Sequence, residues 1–320
     1  MDENTIETKI KWLVEDFLDD LDSWFSADIK CCEKCYSDFI KNWPMIIQRS
    51  NDFFSIDLES FYAGSRRIKE NYSLKEFVDN IHLVKCPRCG ESIEDIIYPF
   101  EFHFCIDEDF EFDVNLLKQT ILETPFIVLK NSLANRVFDV INEQIAFTEK
   151  TLIDFPLYRG RVIKKEDICG DSFLAPPKEL TREGRYNHNG IPVIYSANKK
   201  ITCYNELRKP ENDFFIAEFS LKKKLILLNL NNINAFDEKN DLLKSIVWSS
   251  LCSAKTEDEA KHKPEYYFTR FISDCCKYLG FDGLIYPSVQ IGTGENYVFF
   301  DTNLFSDKNL ITYYEYKKQA

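Results

Sequence analysis

Two Cys-x-x-Cys pairs lie on segments that are far apart in the chain. Cys32 and Cys35 form the first pair, and Cys86 and Cys89 form the second within "KCPRCG". Two such turns present four thiolates, which is the donor set of many tetrahedral structural zinc sites. If all four bind one Zn²⁺, the two segments must fold together, although fifty residues separate the pairs. The spacing therefore predicts a structural zinc element in an N-terminal domain.

The same cysteines allow other interpretations. The chain has 11 cysteines, and this odd number argues against a framework of disulfides. Free buried thiols and a redox pair remain open alternatives to zinc. Further candidate ligands lie near the two pairs, namely Cys31, His82, His103 and Cys105. The cysteines without a paired spacing are predicted to be packing residues, and these are Cys169, Cys203, Cys252, Cys275 and Cys276.

The hydrophobic pattern changes near residue 151. Before it, residues 5–26 and 114–150 show helical spacing, with a break expected at Pro125, and residues 101–114 alternate like a strand. After it, short β-rich runs alternate with helical patterns. A chain of 320 residues is long enough for two domains. We expect an α+β protein, with a mostly helical zinc-binding domain at 1–150 and a mixed β-sheet domain at 151–320.

Charge is unevenly distributed along the chain. The net charge of −13 disfavours broad binding to nucleic acid, because like charges repel. Residues 157–210 nevertheless hold eleven Lys or Arg against six Asp or Glu. This basic segment favours a small anionic ligand in a cleft, with a solvated basic face as the alternative. No run of 18 apolar residues and no signal-peptide pattern occurs, so a cytoplasmic location without a membrane role is expected.

Three residues with complementary chemistry follow one another in "GRYNHNGIPVIYSANKKITCYNE". Arg185 can bind a pyrophosphate with two hydrogen bonds, and Tyr195, near the end of a predicted buried strand, can stack on a flat heterocycle. Glu206, in a predicted helix, can bind a ribose hydroxyl and stabilise an oxocarbenium-like transition state. Together these groups suit a nucleotide sugar with a cationic leaving group, such as NAD⁺.

Several ordered motifs resemble the RES domain family. They are "LYRGR", "FLAPP", "GRYNHNGIPVIYSA", "YNELR" and "GFDGLIYPS…ENYVFF", and they span about residues 155–303. The resemblance implies a fold similar to that of ADP-ribosyltransferases and an activity that degrades NAD⁺, as in toxins of bacterial toxin–antitoxin modules. "CCEKCYSDF" also resembles a CxxC-containing helical region that precedes some RES domains.

The family pattern implies roles for individual residues. Arg185, Tyr195 and Glu206 look like the catalytic set, with the Tyr195 ring facing nicotinamide and the Glu206 carboxylate orienting ribose. Neither His188 nor His262 is needed as a base, because nicotinamide is a good leaving group. The residues implied to bind the substrate are Arg159, Arg161, Arg185, Ser288 and Asn296.

The resemblance leads to one principal hypothesis and two alternatives. The principal hypothesis is an NAD⁺ glycohydrolase or phosphorylase that acts as a toxin or defence effector, with an antitoxin or regulatory protein as partner. The alternatives are an ADP-ribosyltransferase that modifies a macromolecule and a non-catalytic module that senses a nucleotide. The sequence leaves the acceptor, the trigger and the oligomeric state open, including a homo-oligomer.

Overall fold

A computed structural model describes residues 3–25, 27–49, 55–231, 240–254, 264–288 and 294–317. His262, considered above as a base, lies outside these ranges. The chain divides into two compact units, unit 1 (residues 1–107) and unit 2 (residues 108–320). None of the helices in the described ranges combines the length and the apolar composition that a membrane span requires.

Unit 1 is mostly helical, as the sequence predicted. Its helices are α1 (Glu3–Phe25), α2 (Tyr36–Asn42), α3 (Met45–Arg49), α4 (Leu58–Gly64), α5 (Arg67–Asn71) and α6 (Leu74–Asn80). Its strands β1 (Ile29–Cys32), β2 (Ile56–Asp57) and β3 (Ile96–Phe100) form an antiparallel sheet in the order β1-β3-β2.

The core of unit 1 is built on aromatic side chains. Phe17 of α1 packs against Phe61 of α4, with ring centroids 4.9 Å apart, and Phe77 of α6 stacks on Phe61 at 5.8 Å. The buried Asp20 carboxylate accepts hydrogen bonds from the first backbone amides of α5, including that of Ile68 at 2.9 Å. This carboxylate at a helix N-terminus ties α1 to α5.

The strand predicted across residues 101–114 is wrong. Residues 101–107 form no strand, and helix α7 begins at Phe110. The alternation comes from Phe102 and Phe104, which are buried, and Phe102 packs on Trp43 with ring centroids 4.7 Å apart. Burial of alternate aromatic side chains therefore imitates a strand pattern without a neighbouring strand to pair with.

Unit 2 begins with helices and continues into a large sheet. The helices are α7 (Phe110–Glu123), α8 (Ser132–Phe147), α9 (Lys200–Glu206), α10 (Asp241–Trp248), α11 (Ser250–Ser253) and α12 (Tyr267–Leu279). The strands are β4 (Thr151–Ile153), β5 (Leu157–Val162), β6 (Ile194–Ala197), β7 (Phe214–Phe219), β8 (Lys223–Leu225), β9 (Leu227–Asn229), β10 (Gly283–Pro287), β11 (Glu295–Phe299) and β12 (Leu310–Glu315).

Within the described residues, seven of these strands form a mixed sheet in the order β12-β7-β5-β6-β11-β10-β9. β9 and β10 are parallel, and the other neighbouring pairs are antiparallel. The α+β class and the mixed sheet predicted from the sequence are confirmed.

The division between the units lies before the boundary predicted near residue 151. Helices α7 and α8 pack against α12 and belong to unit 2. A 3-10 helix with Pro125 at its start separates α7 from α8, as the predicted break requires. The hydrophobic pattern changes near residue 151 because strands follow helices there. The boundary of the compact unit depends instead on which elements pack together.

Candidate functional site

The two Cys-x-x-Cys pairs meet in unit 1. The Sγ atoms of Cys32, Cys35, Cys86 and Cys89 all lie within 4.8 Å of one another. Neighbouring sulfurs are 3.9 Å apart for Cys32–Cys35, 3.7 Å for Cys32–Cys89 and 3.8 Å for Cys35–Cys86. Four sulfurs placed tetrahedrally at about 2.3 Å from Zn²⁺ would be about 3.8 Å apart. The four thiols therefore fit a tetrahedral metal site.

Tight turns hold the four cysteines in place. The amide of Cys35 donates to the carbonyl of Cys32 at 3.1 Å, and the amide of Gly90 donates to the carbonyl of Cys86 at 2.9 Å. Gly90 has a φ of 75°, which residues with a side chain rarely adopt. The alternative ligands lie elsewhere: the Cys31 thiol contacts the Tyr98 carbonyl, and His82, His103 and Cys105 are outside the only such cluster in the described ranges.

A cleft in unit 2 opens where two neighbouring strands separate. β5 pairs with β7 along its whole length but meets β6 only at Tyr158 and Ala197. On its other edge, β6 pairs with β11. The space between the diverging strands is a cleft of about 240 Å³. Its lining includes five of the residues singled out from the sequence, namely Arg159, Arg161, Tyr195, Glu206 and Asn296.

Glu206 is the last residue of α9, and its carboxylate is held from one side. Oε1 accepts hydrogen bonds from Oγ of Ser288 at 2.6 Å and from Nδ2 of Asn296 at 2.8 Å, and both donor residues are buried. No hydrogen bond reaches Oε2 from the part of the chain that the structure describes. The carboxylate is thus fixed in position, with one oxygen left for a ligand.

Two arginines project from the same face of β5 into the cleft. Arg159 is only 3% exposed; its Nη1 donates to the Tyr195 carbonyl at 2.7 Å and its Nε has no partner. Arg161 donates from Nε to the Ser172 carbonyl at 3.0 Å. In the described residues neither arginine has a carboxylate partner. Burial, and then the Arg161 guanidinium, lower the pKa of Arg159, and burial lowers the pKa of Arg161.

The buried Arg159 and the partly buried Arg161 have no counter-ion in the described residues, so the pair can accept an anion from the cleft. Burial of an unpaired charge is costly, and a guanidinium forms its strongest hydrogen bonds with phosphate or carboxylate groups. An anionic ligand in the cleft would remove this cost. The basic segment noted in the sequence therefore includes an arginine pair that faces a cavity.

The Tyr195 hydroxyl is committed to the turn that precedes β6. It accepts a hydrogen bond from the Tyr186 amide at 2.8 Å and donates to Oδ1 of Asn187 at 3.0 Å. Nδ2 of Asn187 donates to three backbone carbonyls of the same turn, which fixes the orientation of the amide. Burial raises the pKa of Tyr195. The ring, rather than the hydroxyl, is the part of Tyr195 that a ligand can use.

Arg185 does not line the cleft in the described residues. Its Nη1 donates to the Cys252 carbonyl at 2.6 Å, its Nη2 donates to the Ala254 carbonyl at 3.0 Å, and its guanidinium lies 4.6 Å from the Tyr266 ring centroid. Burial opposes its charge, but the tyrosines 266, 186 and 286 and the Glu206 carboxylate outweigh burial and raise its pKa. Arg185 thus links the turn before β6 to the end of α11.

Comparisons with known proteins agree with the motifs. Residues 161–318 match the family model described as the RES domain. This chain carries a RES domain. No curated protein matches it. A chain of the M. tuberculosis MbcT–MbcA toxin–antitoxin complex is similar at 12% identity, with a TM-score of 0.35 over 54% of this chain and 90% of that chain.

The cleft lining also includes residues that sequence reasoning missed. Cys203 and Tyr286 line the cleft. Each carries a signal that a closer reading could have used: Cys203 lies one helical turn before Glu206, and Tyr286 lies two residues before Ser288 and so shares its strand face. His188, set aside as a base, has its Nε2 2.7 Å from Oδ2 of Asp274 on α12 and is not in the cleft lining.

Proposed function

We propose that this chain cleaves the bond between nicotinamide and ribose in NAD⁺. The observation that carries the proposal is the cleft of unit 2, where a carboxylate fixed by Ser288 and Asn296 shares one cavity with Arg159 and Arg161. NAD⁺ supplies the matching groups, because it has a pyrophosphate and a ribose that becomes cationic during cleavage. The RES-like motifs support the same substrate.

The cleft size fits the reacting end of a dinucleotide. Ligand pockets for whole drug-sized molecules are typically about 300–1,000 Å³, and this cleft of about 240 Å³ is smaller. In the proposed complex, nicotinamide packs against the Tyr195 ring, ribose lies beside Oε2 of Glu206, and the pyrophosphate meets Arg159 and Arg161. The rest of the dinucleotide extends out of the cleft.

Cleavage would proceed by loss of a neutral leaving group. The bond between C1′ of ribose and the ring nitrogen breaks, and its electron pair neutralises the nicotinamide cation. Positive charge develops on C1′ and the ring oxygen, and the Glu206 carboxylate stabilises it. Water then bonds to C1′ and releases a proton to the solvent, which yields ADP-ribose, or an anionic oxygen of inorganic phosphate bonds there, which yields the phosphorylated form. A base is not required to make nicotinamide leave.

Arg185 has a positioning role in this proposal. Its bonds to two carbonyls hold the turn that contains Tyr186 and Asn187, and these two residues fix the Tyr195 hydroxyl. The sequence motifs implied a phosphate-binding role for Arg185, but two of its five N–H donors are used by these carbonyls and it does not line the cleft in the described residues. We therefore assign the phosphate contact to Arg159 and Arg161.

We also propose that the cysteine cluster of unit 1 binds one structural Zn²⁺. The sulfur spacing and the two tight turns support this assignment. Closed four-cysteine sites stabilise a fold and leave no open position for a substrate. The metal would therefore join the segment after β1 to the segment before β3, without a part in NAD⁺ cleavage.

A cell that makes an NAD⁺-degrading enzyme needs to restrain it. We propose an antitoxin or another regulatory protein as partner in the cytoplasm, on the strength of the RES-like motifs alone. We expect a co-purifying protein to inhibit NAD⁺ cleavage. Removal of that protein should relieve the inhibition.

The test follows NAD⁺ and nicotinamide by chromatography, with and without phosphate. The wild type should release nicotinamide, and the second product identifies the acceptor. Glu206→Gln should reduce the rate by roughly 10²- to 10³-fold, because its amide keeps the shape but not the charge. Glu211→Gln, on an exposed loop, is the matched control and should retain the wild-type rate. Equal rates for Glu206→Gln and the wild type would contradict the proposal.

A further inference from the structure

Tyr286 has a place in the cleft that none of the motifs assigned. In the sheet, Tyr286 of β10 lies opposite Asn296 of β11, which in turn lies opposite Ala197 of β6. Directly opposite residues in antiparallel strands place their side chains on the same face. Asn296 donates to Glu206 from that face. The register therefore brings the Tyr286 side chain to the side of the sheet where Glu206 lies.

The Tyr286 ring is well packed, whereas its hydroxyl is unused. The residue is 7% exposed, and its ring lies 4.7 Å from the Tyr186 ring, centroid to centroid. Across the residues that the structure describes, its hydroxyl makes no hydrogen bond. Burial, and then the Glu206 carboxylate, raise the pKa of Tyr286, so the phenol stays protonated near neutral pH and can donate.

Two unpaired polar groups thus face one cavity. Among the described residues, Oε2 of Glu206 is an acceptor without a donor, and the Tyr286 hydroxyl is a donor without an acceptor. Neither atom is among the fully buried side-chain atoms that lack a partner, so both are open to the cleft, and a ligand there can supply a donor for the carboxylate and an acceptor for the phenol. Ribose fits, because one of its neighbouring hydroxyls can donate to the carboxylate while the other accepts from the phenol.

We propose that Tyr286 contacts the substrate and determines its sugar specificity. Its hydroxyl donates to one hydroxyl of the ribose attached to nicotinamide, and the adjacent ribose hydroxyl donates to Oε2 of Glu206. This inference rests on the proposed function and adds a substrate contact to it. Tyr286 and Glu206 then hold the sugar from two sides while Tyr195 packs against nicotinamide.

Tyr286→Phe tests the contact without disturbing the ring. Because the hydroxyl has no partner among the described residues, its removal should leave the melting temperature unchanged or slightly raised. The loss of one substrate hydrogen bond should lower kcat/KM for NAD⁺ about tenfold. Tyr204→Phe is the matched control, since its ring packs against Phe214 and Tyr316 outside the cleft lining, and it should behave like the wild type.

Substrate analogues identify the ribose atom. NAD⁺ analogues that lack the 2′- or the 3′-hydroxyl of the nicotinamide ribose should be compared in the wild type and in Tyr286→Phe. The tenfold difference between the two proteins should vanish with the analogue that lacks the contacted hydroxyl. A difference that persists with both analogues, or Tyr286→Phe kinetics equal to the wild type with NAD⁺, would overturn the inference.

Calorimetric binding of NAD⁺ separates this inference from the proposed function. If the wild type releases no nicotinamide but binds NAD⁺ about tenfold more tightly than Tyr286→Phe does, the proposed cleavage fails and the contact stands. If the wild type releases nicotinamide and both proteins bind and turn over NAD⁺ alike, the cleavage stands and the contact fails.

Discussion

The cysteine cluster of unit 1 and the cleft of unit 2 both gather residues that are distant in the chain, but they do so differently. In the cluster, each of two local turns supplies two ligands through its own spacing, so one long-range contact completes the site. In the cleft, β5, β6, α9, β10 and β11 contribute one or two groups each. The cysteine cluster is therefore determined mainly by short-range spacing in the sequence, and the cleft mainly by the register of the sheet.

This difference has a consequence for substitutions. Loss of one cysteine in the cluster removes a quarter of the donors of the proposed zinc site. Loss of one group in the cleft leaves the sheet and the other side chains in place. We therefore expect cluster variants to act mainly on folding and cleft variants to act mainly on turnover.

The largest effect is expected for Cys35→Ser. The wild type should hold about one zinc per chain, and the variant should lose both the metal and the cooperative unfolding of unit 1, since structural zinc contributes about 10–16 kcal/mol in small domains. Metal analysis and thermal denaturation followed by circular dichroism check this. Cys105→Ser is the control, because Cys105 is exposed and lies outside the cluster. Equal zinc loss in both variants would contradict the four-cysteine site.

Arg159→Met should weaken substrate binding. It replaces a buried cation that has no carboxylate partner in the described residues with an apolar side chain of similar length, so no ion pair is lost, but the hydrogen bond to the Tyr195 carbonyl is removed and the melting temperature should fall slightly. KM for NAD⁺ should rise roughly 10- to 100-fold, as expected for a lost charge-assisted phosphate contact. Steady-state kinetics and the melting temperature are the measurements. Arg182→Met, at an exposed position in the turn before β6, is the control and should change neither KM nor the melting temperature. An unchanged KM for Arg159→Met would contradict a role of Arg159 in binding the substrate anion.

Gly184→Ala should lower activity by a smaller factor than Arg159→Met raises KM. A Cβ atom at Gly184 would lie 2.5 Å from Oδ1 of Asn187 and 2.7 Å from the Tyr195 hydroxyl, which are the two atoms of the hydrogen bond that fixes the ring. The displaced ring should reduce kcat/KM by roughly tenfold, because small misplacements of positioning groups are costly. At Gly170 a Cβ atom would meet Cδ2 of Leu310 at 3.3 Å and Oδ1 of Asp307 at 3.8 Å, both of which are ends of side chains, so Gly170→Ala should retain activity. Equal activity of the two variants would mean that the ring position is unimportant.

The smallest expected effect is a difference in thiol labelling. It compares Cys203 in the cleft of unit 2 with the cysteine cluster of unit 1 in the same protein. Burial, and then the Glu206 carboxylate, raise the pKa of Cys203 to about 12, so its thiol is protonated at pH 8 and should resist iodoacetamide. The exposed Cys169 should react under the same conditions. A zinc chelator should expose the cluster cysteines to the reagent and leave Cys203 unlabelled. Mass spectrometry of peptides measures the labelling of Cys203, of Cys169 and of the cluster cysteines. Rapid labelling of Cys203 would contradict its buried, protonated state.

Much of the architecture could be predicted because it depends on local patterns. The helical spacing of Leu13, Phe17 and Leu21 predicted α1, and all three side chains are buried. The apolar run before Tyr195 predicted β6, and the following polar segment predicted the helix that ends at Glu206. The strand predicted at residues 101–114 was wrong because burial of Phe102 and Phe104 has the same period as a strand.

The sequence by itself determined the residue types, the paired cysteine turns and the order of the RES motifs, because these depend on neighbours within a few positions. Only the tertiary structure decided that Ser288 and Asn296 hold one oxygen of Glu206, that Arg159 is buried without a carboxylate partner in the described residues, and that Arg185 binds carbonyls of residues 252 and 254. These contacts follow from strand register and from the separation of β5 from β6. Such long-range pairing depends on the packing of the whole sheet and leaves no short-range signal.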